Sequence, residues 1–199
     1  MAEGKKQWLK NVAAYTLAGG LSSVFVGGVL GTFGGALLLF LPALRADVGG
    51  PGVLIAIAVA VTAIAREVGW VSLPLPQLRR QTKQVWAILF PRRLAATLWG
   101  LDLGLTFTTR LTFSGVWLLA AVALLAGNPA YGATLFALYW LGRALSVWIA
   151  PLLMQDASAT PQLMDRIAGE HHLFRQVHVG GLIWAVVSLF AWYIYGSSI

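Results

Sequence analysis

Five ionised side chains stand where the sequence is otherwise almost wholly apolar: Arg66, Glu67, Asp102, Arg110 and Arg143. Facing hydrocarbon, each would cost at least ~2.5–3.5 kcal/mol on the insertion scale. They are therefore expected to turn inward and pair. Ser22, Ser23, Thr106, Thr108 and Thr109 place hydroxyls in the same apolar runs. Three arginines against two carboxylates leave one positive charge over, which would suit an anionic or zwitterionic solute on a polar pathway. The plainer reading is an ion-pair network that fixes how the helices pack, since buried pairs specify arrangement more than they stabilise. Residue types alone leave both open. His171, His172 and His178 are the three histidines. On a helix His171 and His178 would share a face two turns apart, a spacing that could ligate a haem or pigment. Solvated interfacial histidines explain them more simply, so no cofactor and no metal site is assigned. The sequence has no nucleophile–base pair, phosphate loop or paired-carboxylate motif, and cysteine is absent, which excludes disulfides and dithiol relays. The chain is not expected to be an enzyme.

The elements that must position these residues follow from composition. Of 199 residues, 58% are hydrophobic and 11% charged, and the mean hydropathy is +0.76. Soluble domains carry about 25% charged residues, so this chain could not cover a globule with polar groups. The expected fold is all-α, a polytopic transmembrane helical bundle of about five spans forming one domain. The runs are Asn11 to Leu44, Gly52 to Leu73, Leu94 to Leu125, Ala130 to Leu153 and Val179 to Tyr195. Lipid offers no partner to a free peptide group, so each must be helical. The first run is long for one crossing and is expected to tilt, or to break at its glycines. It lacks a small-residue cleavage site and is read as a retained helix rather than a signal peptide.

The net charge of +7 is distributed as a topology signal rather than as a nucleic-acid surface, so no nucleic acid is expected as partner. Lys5, Lys6, Lys10, Arg79, Arg80, Lys83, Arg92, Arg93, Arg166 and Arg175 fall on one side, and only Arg45 on the other. That bias places the chain in a bacterial-type cytoplasmic (inner) membrane, N-terminus inside and C-terminus outside. Residues 77–93 include an apolar stretch too short to span, with basic flanks. They read as an interfacial segment, with anionic lipid a candidate partner at Arg79, Arg80, Lys83, Arg92 and Arg93. Residues 155–178 read as a second cytoplasmic loop.

Three matches recur in the same order along the chain. Thr32-Phe33-Gly34-Gly35 returns as Thr112-Phe113-Ser114-Gly115, Gly49-Gly50-Pro51 as Gly127-Asn128-Pro129, and Arg66 with Pro74-Leu75 as Arg143 with Pro151-Leu152. They imply an internal two-helix duplication, about 11–76 and 94–154, with the span at 179–196 standing alone. Arg66 and Arg143 would then face each other across the duplication axis. The glycines Gly27, Gly28, Gly31, Gly34 and Gly35 serve close helix packing in one reading and a gating hinge in the other.

Glycine-rich first spans in a duplicated domain resemble the CcdA/DsbD membrane domains and the wider LysE-like group of exporters. Residues 99–109, Trp-Gly-Leu-Asp-Leu-Gly-Leu-Thr-Phe-Thr-Thr, are similar to the small-residue run that opens the second repeat there, and Gly19-Gly20-Leu21-Ser22-Ser23 to that of the first. The resemblance runs loosely over residues 12–153. It implies a redox Pro-Cys pair in each repeat and six crossings. This sequence departs from both, holding Ser22-Ser23 and Thr108-Thr109 where the cysteines belong. What the resemblance leaves is a scaffold. The expected function is a small carrier or permease handling an anionic or zwitterionic solute at the repeat interface. The alternative is a non-catalytic subunit packed within a larger membrane complex. The expected partners are the lipid bilayer and a membrane protein or a second copy of the chain.

Overall fold

The computed structural model describes residues 2–47, 50–74, 83, 85–109, 113–153 and 171–197. Arg79, Arg80, Arg110 and residues 155–170 of the expected loop lie outside the described residues. The fold is an all-helical membrane bundle, and no strand occurs among the described residues. The helices are α1 (Ala2–Phe40), α2 (Pro51–Val68), α3 (Trp86–Leu89), α4 (Arg92–Gly104), α5 (Gly115–Ala126), α6 (Pro129–Leu153) and α7 (His171–Ser197), with a short 3-10 turn at Pro42–Leu44. Four of them, α1, α2, α6 and α7, are long and apolar enough to cross a membrane.

Helix ends follow local chemistry. Helix α2 stops at Gly69, in the left-handed conformation at φ 91°, whose N–H closes on the Arg66 carbonyl. Glycine takes that conformation without a Cβ penalty, so α2 ends at Val68, five residues earlier than the apolar run suggested. Helix α6 begins with Pro129 after Asn128, whose Oδ1 accepts the N–H groups of Ala130 and Tyr131 at 2.9 and 3.1 Å. This is a side-chain cap ahead of a proline that has no N–H to lose. Helix α7 starts two turns before the expected fifth span, so residues 171–178 are helix, not loop.

The largest departure is the third span. Expected as one run from Leu94 to Leu125, it is two helices, α4 of 13 residues and α5 of 12, and the described residues between them, 105–109 and 113–114, are not helical. At about 1.5 Å per residue neither reaches across a hydrocarbon core of about 30 Å. By contrast α1 runs unbroken through all its glycines for 39 residues, about 58 Å. The hinge reading is corrected: the glycines are packing surfaces.

The chain forms two compact units. The first takes Met1–Gly27, Pro76–Leu111 and Ala133–Leu153. Here a Cβ on Gly100 or Gly104 would collide with the α1 backbone at Tyr15 or Gly19, and one on Gly19 with the Trp140 ring. Close backbone approach across small residues is the usual packing of membrane helices. Trp140 is wholly buried, with its indole N–H on the Thr16 carbonyl at 2.8 Å, so it is a core residue and not an interface-belt one. The second unit takes Gly28–Leu75, Thr112–Gly132 and Met154–Ile199. Its core gathers Ala56, Ala60 and Ala63 of α2, Leu118 and Leu125 of α5 and Leu182 of α7. The α1 glycines Gly31 and Gly34 lie against the backbone of residues 124–129, which a side chain would push away.

Candidate functional site

The polar groups gather at the break between α4 and α5, in a separate cluster in each unit. In the second unit the focus is Glu67, 8% exposed. Its Oε1 accepts the Ser114 hydroxyl at 2.7 Å, the Ser114 backbone N–H at 2.9 Å and the Arg66 guanidinium at 3.0 Å. Arg66 also donates its Nε–H to the Leu73 carbonyl at 3.0 Å. One residue on, the Gly115 N–H donates to His178 Nε2 at 3.2 Å, and the imidazole stacks on Phe113 with ring centroids 4.8 Å apart. The first N–H groups of a helix lack intrahelical partners. Here Glu67 of α2 and His178 of α7 serve the start of α5 from outside it. A carboxylate there also complements the positive end of the helix dipole.

In the first unit hydroxyls serve the end of α4. Ser22 and Ser23 of α1 donate to the carbonyls of Leu101 and Gly104 at 3.0 and 2.8 Å. Thr108 donates to the Asp102 carbonyl at 3.0 Å, and Thr106 to that of Gly104 at 3.1 Å. Thr106 is fully buried with φ 60°, the one non-glycine residue at positive φ among the described residues. A buried unpaired peptide group costs several kcal/mol in lipid, and this set of hydroxyls removes that cost for the last turn of α4. Thr109 is buried nearby, its hydroxyl 3.5 Å from the Thr106 carbonyl.

The sequence candidates therefore sort cleanly. Arg66 and Glu67 meet each other, with Ser114 and His178. Ser22, Ser23, Asp102, Thr108 and Thr109 meet in the first unit. Arg143, half-buried on α6, belongs to that unit too, and makes no ion pair among the described residues. Arg110 lies outside the described residues, as does the side chain of His171. One site residue, Ser114, is absent from the candidates that the sequence offers, where it figures only in a repeated tetrapeptide; His178, a candidate haem or pigment ligand by its spacing from His171, instead accepts the Gly115 N–H. The signal available for Ser114 was its place at the end of the Thr- and Ser-bearing stretch inside the third apolar run.

The chemistry this arrangement can perform is narrow. The Ser114 hydroxyl donates to a carboxylate and the His178 lone pair is occupied by a backbone N–H, so no base is placed against a nucleophile. With Nε2 engaged, that nitrogen has no free electron pair for an iron or pigment centre. Tying α4 to α1 in the first unit, and α5 to α2 and α7 in the second, is what these contacts do.

The chain is similar to the methylamine utilization protein MauF. It is 32% identical to MauF of Paracoccus versutus over 149 residues, 75% of this chain and 53% of that protein. The MauF proteins of Paracoccus denitrificans and Methylophilus methylotrophus are 29% and 25% identical over 149 and 155 residues, 75% and 76% of this chain. The chain spans about half the length of the curated relatives it matches. No family model and no solved structure matches. These relatives correct two expectations. The resemblance to CcdA/DsbD-like or LysE-like domains gives way to MauF. The glycine and hydroxyl runs that carried it are close-packing and helix-terminating features, which unrelated membrane bundles share. The carrier or permease for an anionic or zwitterionic solute, and transport with it, is overturned as well. The relatives are named for methylamine utilization, not for transport.

Proposed function

We propose that this chain is a non-catalytic, membrane-embedded accessory protein of an amine-utilization system, acting by packing against partner proteins in the bilayer. The observation that carries it is the match to MauF over three quarters of the chain. The site geometry supports the accessory part of the reading. Its hydroxyls, carboxylate and imidazole are consumed in joining helices, and the chain has no cysteine for electron relay. The membrane is the bacterial-type cytoplasmic one, entered with the N-terminus inside, and α4 with α5 together make the third of five crossings. Exposed Lys83, Arg92 and Arg93 flank the exposed apolar side chains of Ile88 and Leu89, a surface suited to anionic lipid headgroups.

The experiment is a chimera. In a Paracoccus strain lacking MauF, the matching half of that protein is replaced by this chain and growth on methylamine is measured. Restored growth is expected, with MauF partners retained on purification in mild detergent. A chimera that reaches the membrane and leaves growth abolished would overturn the reading.

A further inference from the structure

The second unit holds a half-open cavity of about 500 Å³ whose chemistry the helix-joining contacts do not use. Its apolar lining comes from Val53 and Ala56 of α2, Val122 of α5 and Leu189 of α7. Tyr131, Trp192, the neutral polar Asn128 and Ser188, and one ionised residue, Asp47, also line it. Asp47 makes no ion pair among the described residues, and no cationic side chain lines the cavity. A lining with one carboxylate, two aromatic rings and aliphatic side chains repels anions and leaves the carboxylate uncompensated by a neutral solute. An organic cation satisfies all three surfaces at once. Its ammonium group meets the carboxylate and the ring faces, which attract cations through their quadrupoles, and its hydrocarbon covers the alanine and valine side chains. The volume is in the range of small-molecule sites, about 300–1,000 Å³.

We infer that this cavity binds an organic ammonium ion, with Asp47 as counter-ion and Trp192 and Tyr131 as its aromatic wall. The inference deepens the amine-utilization reading and rests on it only for biological sense. The chemistry could be supplied by a free alkylamine or by the ammonium of a phospholipid headgroup, and the test separates them.

The full chain is reconstituted in nanodiscs of phosphatidylglycerol alone and titrated calorimetrically with methylammonium, butylammonium and butanol. Saturable binding of the ammonium ions and none of the alcohol is expected, with Asp47→Asn weakening it about tenfold or more and Trp192→Leu by a smaller factor. Equal binding by butanol, unchanged binding by Asp47→Asn, or no binding at all would overturn the inference. Should Asp47→Asn fold poorly, Trp192→Leu decides, since unchanged affinity there removes the aromatic wall from the argument. In discs containing phosphatidylethanolamine, weakened amine binding assigns the site to the headgroup, and unchanged binding assigns it to a free amine. A chimera that restores growth beside a cavity that fails these titrations would leave the accessory function standing and this site refuted.

Discussion

Glu67 shows how one buried carboxylate can join two elements. It sits at the end of α2, accepts two donors from Ser114 at the threshold of α5, and neutralises the neighbouring arginine. Replacing it by leucine strands the Ser114 N–H and the Arg66 guanidinium together. Because Arg66 is partly exposed, the cost expected is about 2–3 kcal/mol rather than the larger figure for a fully buried pair. Glu67→Gln keeps an accepting oxygen and should lose roughly half as much. Chemical denaturation in detergent, read by tryptophan fluorescence, checks the order; a leucine variant as stable as glutamine would disprove the arrangement. Ser114→Ala removes one donor and should cost about 1 kcal/mol. The sequence showed that Glu67 needed a partner and supplied Arg66 at once. It did not show Ser114, because the two lie 47 positions apart and only the folded chain joins them.

At the scale of elements, the apolar runs located every long helix, since hydrocarbon leaves the backbone no other structure. What they could not show was where a run stops being helix inside itself. Residues 105–114 carry four threonines, a serine and an arginine, yet apolar residues on both sides let the run read as one span; Ser22 and Ser23, some 80 positions earlier, take over carbonyls of α4. Two substitutions test the helix geometry. Gly69→Ala forces a Cβ into the left-handed cap of α2, where open space surrounds it. A backbone penalty of about 1 kcal/mol follows. Gly34→Val puts a side chain into the backbone of Leu124, and overpacking there should cost at least ~1–3 kcal/mol. Thermal unfolding in detergent should therefore rank Gly34→Val well below Gly69→Ala. The reverse order would mean that α1 does not lie on the 124–129 turn.

For the whole molecule, the absence of cysteine makes sidedness easy to test, because any introduced thiol is the sole target. A cysteine at Lys83 should react with an impermeant maleimide only from the cytoplasmic face, and one at Asp47 only from the opposite face. Labelling of both from one side would refute five crossings. The bundle and its helices were legible because lipid imposes them, whereas the family was not, since glycine and hydroxyl spacing reports packing rather than descent. If, as proposed, α4 and α5 share one crossing, its division bears on how the protein is made. Helix α4 opens with two arginines, carries Asp102 and has only 13 residues, too little hydrophobicity to leave a translocon for lipid alone. Its serine partners on α1 are synthesised before it, so pairing of α4 with α1 is the expected first step in burying it.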